Sequence, residues 1–374
     1  IQTKINHEVL SVNPEAKTLR VKNLENGEVF EDHYDSLMIA TGADSIIPPI
    51  NNVNIQNVFT LKNMEDGEEI KAAATQEDNR NIVIIGAGYV GIELVEAMKK
   101  LEKNVRLIQL DSTVMPGSFD KELTDIMEEE LRDHNVDLHL SEIVKALEGD
   151  TKVTKVITDK GEYPADVVII ATGVRPNTGF LKDTGIKMLK NGAIMIDAYG
   201  RTNLKSIYSA GDCATVYHKI KKEKVYIPLA TTANKIGRIV GENLAGKNNA
   251  FPGTLGSAAI KVMDMEAGRT GITEEEAKQM GLDYGMVFII DKNQTNYYPG
   301  AQKIYVKLIY NQNTKVILGG QIIGKAGAVL RVDVLAAAID KGMTTDELGN
   351  LDLCYAPPFA RTWDVLNVAG NVAK

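Results

Sequence analysis

The sequence is poor in cysteine, tryptophan and positive charge, and it contains no long apolar run. Its 374 residues include 2 cysteines and 1 tryptophan, and the formal net charge is −8. Cys213 and Cys354 lie far apart, which excludes a dense disulfide framework and fits a reducing cytoplasm. The acidic balance argues against nucleic acid as a partner. With no apolar run of about 18 residues, we expect neither a transmembrane helix nor a membrane partner, and we expect no signal peptide.

Histidine is scarce as well, with 5 in the chain. His134 and His139 are not spaced as a metal-binding pair, so we interpret them as surface residues and expect no metal site. What is present is ordinary for a globular protein, with 44% apolar and 25% charged residues. The length is too great for one ordinary core and predicts two or three domains.

The most informative stretch is residues 81–111, NIVIIGAGYVGIELVEAMKKLEKNVRLIQLD. An apolar, β-branched run is followed by a helical pattern and a second apolar run. The predicted elements are a strand at Asn81–Ile85, a helix at Tyr89–Leu101 and a strand at Val105–Leu110. Strand, glycine turn, helix and strand in about 30 residues form the dinucleotide-binding fingerprint.

Gly86, Gly88 and Gly91 supply the G-x-G-x-x-G spacing of this fingerprint. Gly86 permits a tight turn, Gly88 lets the backbone approach a pyrophosphate, and Gly91 lets the helix pack close to the strand. The N-terminus of the helix then offers N–H groups and a partial positive charge to phosphates. The alternative is a glycine-rich turn that binds nothing, but the complete strand and helix context favours dinucleotide binding.

A second pattern occurs twice, on either side of this unit. Ser36–Ala43 reads SLMIATGA and Asp166–Val174 reads DVVIIATGV, so each apolar strand ends in Ala-Thr-Gly. Threonine and glycine there bring the backbone close to a ligand at the carboxyl end of a strand. Two copies indicate two related nucleotide-binding domains. A third apolar strand, Ile207–Ala210, is followed by Gly211 and Asp212, and a helix is predicted at Ala230–Leu244.

The remaining segments frame these units. We predict strands at Ile1–Ile5 and Glu8–Val12, and a polar helical connection over Asn57–Asp78. From residue 258 onwards the alternation indicates an antiparallel sheet, with a capping box at Thr273 and Glu276. This α+β block over residues 253–374 carries no nucleotide motif.

Together these pieces resemble the FAD-dependent pyridine nucleotide-disulfide oxidoreductases. The matching motifs are ATGA at 40–43, GAGYVGIE at 86–93, ATGVRPN at 171–177 and IYSAGDCA at 207–214. NYYPGA at 296–301 and YAPPFARTWD at 355–364 resemble the coenzyme A-disulfide reductase branch. Members of the glutathione reductase type carry a histidine base in the last domain, whereas the last histidine here is His218.

The resemblance implies an α/β fold with two Rossmann-like nucleotide-binding domains, the FAD domain incomplete, and a C-terminal α+β interface or dimerisation domain. The implied boundaries are 1–78 for a partial FAD-binding domain, 79–193 for the NAD(P)-binding domain, 194–250 for the return segment of the FAD-binding domain, and 253–374 for the dimerisation domain. It also implies a cytoplasmic homodimer acting on a small-molecule disulfide or persulfide.

The resemblance implies a hydride relay from NAD(P)H through FAD to a cysteine held as a mixed disulfide with coenzyme A. The cofactor-binding residues that we predict are Gly86, Gly88, Tyr89, Val90, Gly91, Glu93, Gln109, Gly173, Thr41, Gly42, Asp212 and Ala230. Tyr355, with Tyr297 or Tyr298, would come from the partner subunit and protonate the leaving thiolate. Lys235 and Trp363 are expected to contact coenzyme A.

Two of these residues leave an alternative open. Glu93 is interpreted either as a first-turn acid that complements the helix dipole or as a residue that steers the nicotinamide. Gln109 lies where an NAD-selecting acid would bond the ribose, and Asp111 lies two residues on. Arg106 is not placed for a 2′-phosphate, so we favour NADH.

The sequence also departs from the family pattern. The family begins with its own glycine unit for the FAD pyrophosphate and a redox cysteine, and residue 1 aligns after both. Cys213 and Cys354 do not match the redox position, and we interpret both as small buried residues. We therefore expect a fragment of a longer protein whose FAD binding is in doubt and which is inactive alone.

Two further hypotheses are retained. One is an NADH oxidase or peroxidase of the same family. The other is a non-catalytic nucleotide-binding and dimerising fragment. Reduction kinetics with coenzyme A disulfide, oxygen and peroxide, and a visible spectrum for flavin, distinguish them.

Overall fold

The computed structural model describes residues 1–373. The strands are β1 His7–Asn13, β2 Thr18–Asn23, β3 Val29–His33, β4 Leu37–Ile39, β5 Ala43–Ser45, β6 Val58–Thr60, β7 Asn81–Ile85, β8 Asn104–Ile108, β9 Asp137–His139, β10 Val144–Glu148, β11 Lys155–Thr158, β12 Glu162–Pro164, β13 Val167–Ile170, β14 Val174–Pro176, β15 Ile207–Ser209, β16 Val216–His218, β17 Glu223–Val225, β18 Ala258–Val262, β19 Met265–Gly271, β20 Tyr284–Lys292, β21 Lys303–Asn311 and β22 Ile317–Gly324. The helices are α1 Met64–Ala74, α2 Tyr89–Lys100, α3 Lys121–Asp133, α4 Ala230–Leu244, α5 Glu274–Gln279, α6 Ala328–Asp340, α7 Thr345–Gly349 and α8 Val365–Val372. Within residues 1–373, no helix is both long enough and apolar enough to cross a membrane.

The chain forms two compact units, each made of two separate segments. One unit is Ile1–Asp44 with Val174–Thr254, and the other is Ser45–Gly173 with Leu255–Lys374. The finer division into four segments, drawn from the resemblance, stays a prediction.

In the first unit, β1, β2 and β3 form an antiparallel sheet. The apolar strand β4 pairs in parallel with β15, and Ile39 lies beside Ser209. Alternating apolar positions bury Val12, Ile39 and Ile207 together with Val240 of α4. The predicted strand at residues 1–5 is wrong, because the first strand begins at His7 and the side chains of Ile1 and Ile5 are exposed.

In the second unit, a five-stranded parallel sheet has the order β6-β13-β7-β8-β9. The continuous apolar runs of β7 and β13 are buried, as expected for strands covered on both faces. The predicted helical connection over Asn57–Asp78 is partly wrong. Val58–Thr60 forms the edge strand β6, and α1 begins only at Met64, behind a capping box of Asn63 and Asp66.

The antiparallel sheet of the second unit has the order β18-β19-β22-β21-β20. The capping box of Thr273 and Glu276 that the sequence predicts begins α5. This sheet packs against α2 and α3, and they share an apolar core that contains Leu123, Val262 and Ile323.

A buried ionic cluster also joins α3 to the antiparallel sheet. The Lys307 side chain is 1% exposed, and its Nζ lies 2.7 Å from carboxylate oxygens of both Glu122 and Glu274 and 3.4 Å from Asp120. Burial alone would raise the pKa of Glu274, but hydrogen bonds from Lys307, Lys278 and Tyr284 lower it to about 2. A charge buried in this way is tolerated because it is paired.

Candidate dinucleotide site and tyrosine pair

The glycine turn joins β7 to α2, and each of its glycines meets a different physical demand. Gly86 has φ +105°, and a Cβ there would lie 2.5 Å from the Ala171 carbonyl oxygen. A Cβ on Gly91 would lie 1.9 Å from the Gly86 carbonyl oxygen. A Cβ on Gly88 would meet nothing within 4 Å. Backbone contacts therefore require glycine at two positions, whereas Gly88 borders open space that fits an approaching pyrophosphate.

The N-terminus of α2 is built to receive an anion. Gly88 is the N-cap residue, and no side chain caps the helix. The first turn of α2 begins at Tyr89. Its N–H groups, those of Tyr89 and Val90 among them, have no intrahelical acceptors and can therefore donate to a phosphate group. Burial raises the pKa of the Tyr89 hydroxyl, with an opposing effect from Arg269 and Ser118.

Gln109 is buried directly beneath the glycine turn. Its Oε1 accepts the Ala87 N–H at 2.8 Å, and its Nε2 donates to Asp111 Oδ2 at 2.7 Å. Gln109 therefore holds the turn on one side and orients an exposed carboxylate on the other. Asp111 lies just beyond the end of β8, where an acid that accepts hydrogen bonds from the ribose is expected in a dinucleotide site.

Glu93 lies in the second turn of α2, because the helix begins at Tyr89 and its first turn carries no acid. The interpretation of Glu93 as a first-turn acid is therefore wrong. Its side chain lines an open cleft of about 350 Å³ with Lys261, Glu266 and Lys325. Partial desolvation and the nearby Glu96 raise the pKa of the Glu93 carboxyl.

The second Ala-Thr-Gly segment lies beside the glycine turn. The Ala171 N–H donates to the Ile85 carbonyl at 2.8 Å, because β13 and β7 are neighbours in parallel register. Gly173 has φ +106°, and its carbonyl accepts the Ile46 N–H at 2.9 Å. This places Gly173 at the carboxyl edge of the sheet, as predicted.

The residues predicted to bind flavin lie in the other unit. β4 and β15 are parallel neighbours, so Thr41 and Gly42 follow one strand and Asp212 follows the other at the same edge. The Thr41 hydroxyl donates to the Asn177 carbonyl at 2.6 Å. Ala230 begins α4, whose N-terminus also has no side-chain cap. Two strand ends and an uncapped helix end fit a bound dinucleotide.

Lys235 lies one turn further along α4, and its side chain is exposed. Trp363 belongs to the second unit, where it is 57% exposed. The contacts predicted for both with coenzyme A stay predictions.

The two cysteines differ in environment. Cys213 is fully buried, with its Sγ near the Ser209 hydroxyl and the Ile39 carbonyl oxygen, as expected for a structural residue. The expectation that Cys354 is buried is wrong, because it is exposed. It lies in the irregular segment between α7 and α8, where no regular element covers it.

Two loops of the second unit bring a pair of tyrosines together. Tyr297 follows β20, and Tyr355 precedes α8. Hydrogen bonding from the hydroxyls of Tyr297, Thr362 and Thr295 holds the pKa of the Tyr355 hydroxyl below its ordinary value. Hydrogen bonding with Tyr355 raises the pKa of Tyr297. The opposite directions of these two pKa shifts favour Tyr297 over Tyr298 as the neighbour of Tyr355.

Sequence reasoning missed one group of potential metal ligands. Glu130, His134 and Asp264 bring one ligand atom each to within 4.8 Å of one another. His134 is tied to the Glu130 carbonyl through Nδ1 at 2.9 Å. Asp264 is remote in sequence, so spacing alone could not reveal the cluster.

The structure combines three features: a parallel sheet with a glycine turn, a second domain with Ala-Thr-Gly and Gly-Asp at its strand ends, and a C-terminal antiparallel block. This combination is typical of an oxidoreductase that binds two nucleotide cofactors. Residues 1–237 match the family model described as pyridine nucleotide-disulphide oxidoreductase. Residues 257–365 match its dimerisation domain. The chain belongs to the pyridine nucleotide-disulphide oxidoreductase family, whose members use NAD(P)H and FAD.

Named relatives agree with this assignment. An NAD(P)H coenzyme A polysulfide/persulfide reductase of Pyrococcus horikoshii is 41% identical over 374 residues, which is 100% of this chain and 83% of the relative. An NADH oxidase of Enterococcus faecalis is 37% identical over 372 residues, covering 99% of this chain and 83% of the oxidase. The solved structure of an NAD-dependent persulfide reductase from A. fulgidus has a TM-score of 0.93 at 36% identity, covering 98% of this chain and 67% of that one. The predicted family and fold class are thus confirmed, and the chain is an NAD(P)H-dependent oxidoreductase.

Proposed function

We propose that this protein reduces coenzyme A disulfide, or a related persulfide, with electrons from NAD(P)H. The observation that carries the proposal is that the loops of Tyr297 and Tyr355 are tied together, with the Thr295 N–H donating to the Pro357 carbonyl at 3.2 Å, in a C-terminal block whose sequence contains no histidine. A relative 41% identical to this chain is named as a coenzyme A polysulfide/persulfide reductase, which supports the same substrate class.

The reaction needs a proton donor as well as electrons. Cleaving a disulfide to two thiols takes two electrons and two protons. When bound, NAD(P)H would supply a hydride, and FAD would carry its two electrons towards the redox cysteine that the family uses, which is neither Cys213 nor Cys354. The hydride accounts for one of the two protons, and the Tyr355 hydroxyl gives the other to the leaving thiolate and regains it from solvent.

The residues of the chain divide the remaining work. The proposed NAD(P)H residues are Gly86, Gly88, Tyr89, Val90, Gly91, Glu93, Gln109 and Gly173, and those proposed for FAD are Thr41, Gly42, Asp212 and Ala230. Asp111 accepts from the ribose and favours NADH. Lys235 and Trp363 are proposed to contact coenzyme A.

The proposed assembly is a homodimer in the cytoplasm. Tyr297, Tyr355, Phe359 and Trp363 are 75%, 45%, 77% and 57% exposed on one block of the chain. Exposed aromatic surface of this kind fits an interface, and the family model places a dimerisation domain here. We propose that each subunit lends Tyr355 to its partner, and that neither Cys213 nor Cys354 is the redox cysteine.

Stopped-flow oxidation of the NADH-reduced holoenzyme tests the substrate. We expect coenzyme A disulfide or coenzyme A persulfide to reoxidise it faster than oxygen or peroxide does. Tyr355→Phe should slow this step, and Tyr208→Phe, a change in the other unit, serves as the control. Reoxidation by oxygen or peroxide alone would favour the second candidate, an NADH oxidase or peroxidase, which the 37% identity to an NADH oxidase supports.

A further inference from the structure

The two tyrosines occupy irregular loops that regular secondary structure does not fix. Tyr297 lies in the loop of residues 293–302 and Tyr355 in the loop of residues 351–364, which we name the 297 loop and the 355 loop. The strand and helices at their ends fix where each loop starts, but not the position of one hydroxyl relative to the other. Another contact must hold the loops together.

Arg331 of α6 supplies that contact. Its guanidinium donates to both carboxylate oxygens of Asp364, with Nε–Oδ1 at 3.1 Å and Nη2–Oδ2 at 2.7 Å. Nη2 also donates to the Asn293 carbonyl at 3.0 Å and to the Phe359 carbonyl at 3.4 Å. One side chain thus binds the beginning of the 297 loop and two points of the 355 loop.

The site around Arg331 is built for this side chain. The side chains of Arg331 and Asp364 are only 12% and 8% exposed. Nη1 donates to the Gly327 carbonyl at 2.9 Å. A Cβ on Gly327, whose φ is +77°, would lie 2.6 Å from Nη1. Asp364 also caps α8 by accepting the Leu366 N–H at 3.0 Å, so its carboxylate is held both by Arg331 and by the start of α8.

Thr295 adds a direct link between the loops beside Tyr355. Its N–H donates to the Pro357 carbonyl at 3.2 Å, and its hydroxyl lies 3.1 Å from the Ala360 carbonyl oxygen. Arg361 of the 355 loop pairs with Asp291, which precedes the 297 loop. These contacts and those of Arg331 together link the two loops at several points.

We propose that Arg331 is a positioning residue for catalysis, which holds the 297 and 355 loops, and with them Tyr297 and Tyr355, in a fixed register. The proposal rests on the proposed function in taking Tyr355 as the proton donor. A planar fork with five donors can bridge three segments, whereas a lysine ammonium cannot match that geometry.

A titration of Tyr355 measures this register directly. The groups that face its hydroxyl are Tyr297, Thr295 and Thr362, and their hydrogen bonds lower its pKa below the ordinary value of 10.0. If the loops lose register, these bonds weaken and the pKa of Tyr355 returns towards 10.0. Loss of stability elsewhere in the protein would leave that value unchanged.

The experiment uses the full chain labelled with [13C-ζ]tyrosine and followed by NMR as pH rises, with Tyr355→Phe to assign the resonance. We expect Arg331→Lys to raise the pKa of Tyr355 towards 10.0 while the protein stays folded. Arg269→Lys is the matched control, because Arg269 is equally buried at 11% exposure and pairs with Glu276, but touches neither loop. It should leave the pKa of Tyr355 unchanged.

A folded Arg331→Lys protein in which Tyr355 titrates as in the wild type would overturn the proposal. If Arg331→Lys does not fold, Asp364→Asn takes its place, since asparagine keeps the cap of α8 and loses the charge pair, and the same upward shift is required of it. In the holoenzyme, Arg331→Lys should lower kcat more than it changes KM. The NMR result does not depend on turnover, so failure of the substrate assay and failure of this proposal are separable.

Discussion

The Ala-Thr-Gly segment occurs twice in this chain, and its two copies lie in sheets of different size. In the second unit, β13 has β6 on one side and β7 on the other, within five parallel strands. In the first unit, β4 pairs with β15 in a two-stranded sheet of the described residues. The copy at Ala171–Gly173 is packed against the glycine turn, since a Cβ on Gly86 would meet Ala171, whereas a Cβ on Gly42, in the copy at residues 40–42, would meet nothing within 4 Å.

The difference shows what a complete dinucleotide site requires beyond its motif. Ala171–Gly173 gains its position from neighbours on the same sheet, including the turn whose helix receives the phosphates. Residues 40–42 have an equivalent sequence but lack such a turn among the described residues. We therefore propose that the glycine unit holds NAD(P)H with its own residues, and the predictions below probe how far the two copies differ.

The largest loss of stability is expected at the ionic cluster around Lys307, which joins α3 to the antiparallel sheet. Lys307→Met removes a buried cation and leaves Glu122, Glu274 and Asp120 without it, so unfolding free energy should fall by about 3–5 kcal/mol. Lys261→Met, which breaks an exposed pair with Glu96, should cost less than about 1 kcal/mol. Urea unfolding of both variants measures this, and equal costs would contradict the account.

The same cluster predicts a pH dependence. The pKa of Glu274 is lowered to about 2, so its contribution to stability is present above its ordinary value of 4.5 and is lost as pH falls through about 2. Glu274→Gln should flatten the acid limb of the stability curve in this range. Chemical unfolding at several acid pH values checks it, and an unchanged acid limb would refute it.

Gly91→Ala comes next, because the new Cβ would lie 1.9 Å from the Gly86 carbonyl oxygen. Overpacking against backbone should cost about 3 kcal/mol and also displace the turn that binds the nucleotide. The melting temperature in thermal unfolding and the affinity measured by NADH titration should therefore both fall. Retention of both would mean that α2 does not need its close approach to β7.

Gly42→Ala should cost only about 1 kcal/mol, from its φ of +66°. A cost as large as that of Gly91→Ala would break the comparison, because it would mean that the first copy is as tightly packed as the second. Thermal unfolding of the two alanine variants side by side decides this.

The smallest effect is expected for Asp111→Asn. Asparagine keeps an oxygen acceptor but loses the charge, so NADH affinity should fall by about 0.5–1 kcal/mol while NADPH affinity rises. Asp137→Asn, a change at the N-terminal end of β9, is the control. If the ratio of NADH affinity to NADPH affinity is unchanged in Asp111→Asn, Asp111 does not contact the ribose.

The sequence predicted the glycine unit and the strand at Ile207–Ala210 well, because their apolar runs are strong and local. β6 was missed because three residues flanked by polar ones carry too little periodicity, and only pairing with β13 makes them a strand. The apolar alternation at Ile1–Ile5 finds no partner in the described structure. Local pattern alone cannot report whether a pairing partner exists.

The site shows the same limit. Motifs named the tyrosines and glycines, but the choice of Tyr297 over Tyr298 depends on how two loops meet. Arg331 and Gln109 act through neighbours remote in sequence, such as Asp364 and Ala87. Such roles follow from tertiary contacts, which no spacing rule contains.

Calorimetric titration of NADH into the wild-type chain and into Gly88→Ala tests the central claim most directly. Gly88 has φ −84° and open space beside it, so alanine should leave the fold intact and obstruct only the pyrophosphate. The account predicts that NADH binds the wild type and that Gly88→Ala binds it at least about tenfold more weakly, or about 1.4 kcal/mol, with unchanged thermal stability. Equal affinity in the two proteins, or no binding to the wild type, would contradict it.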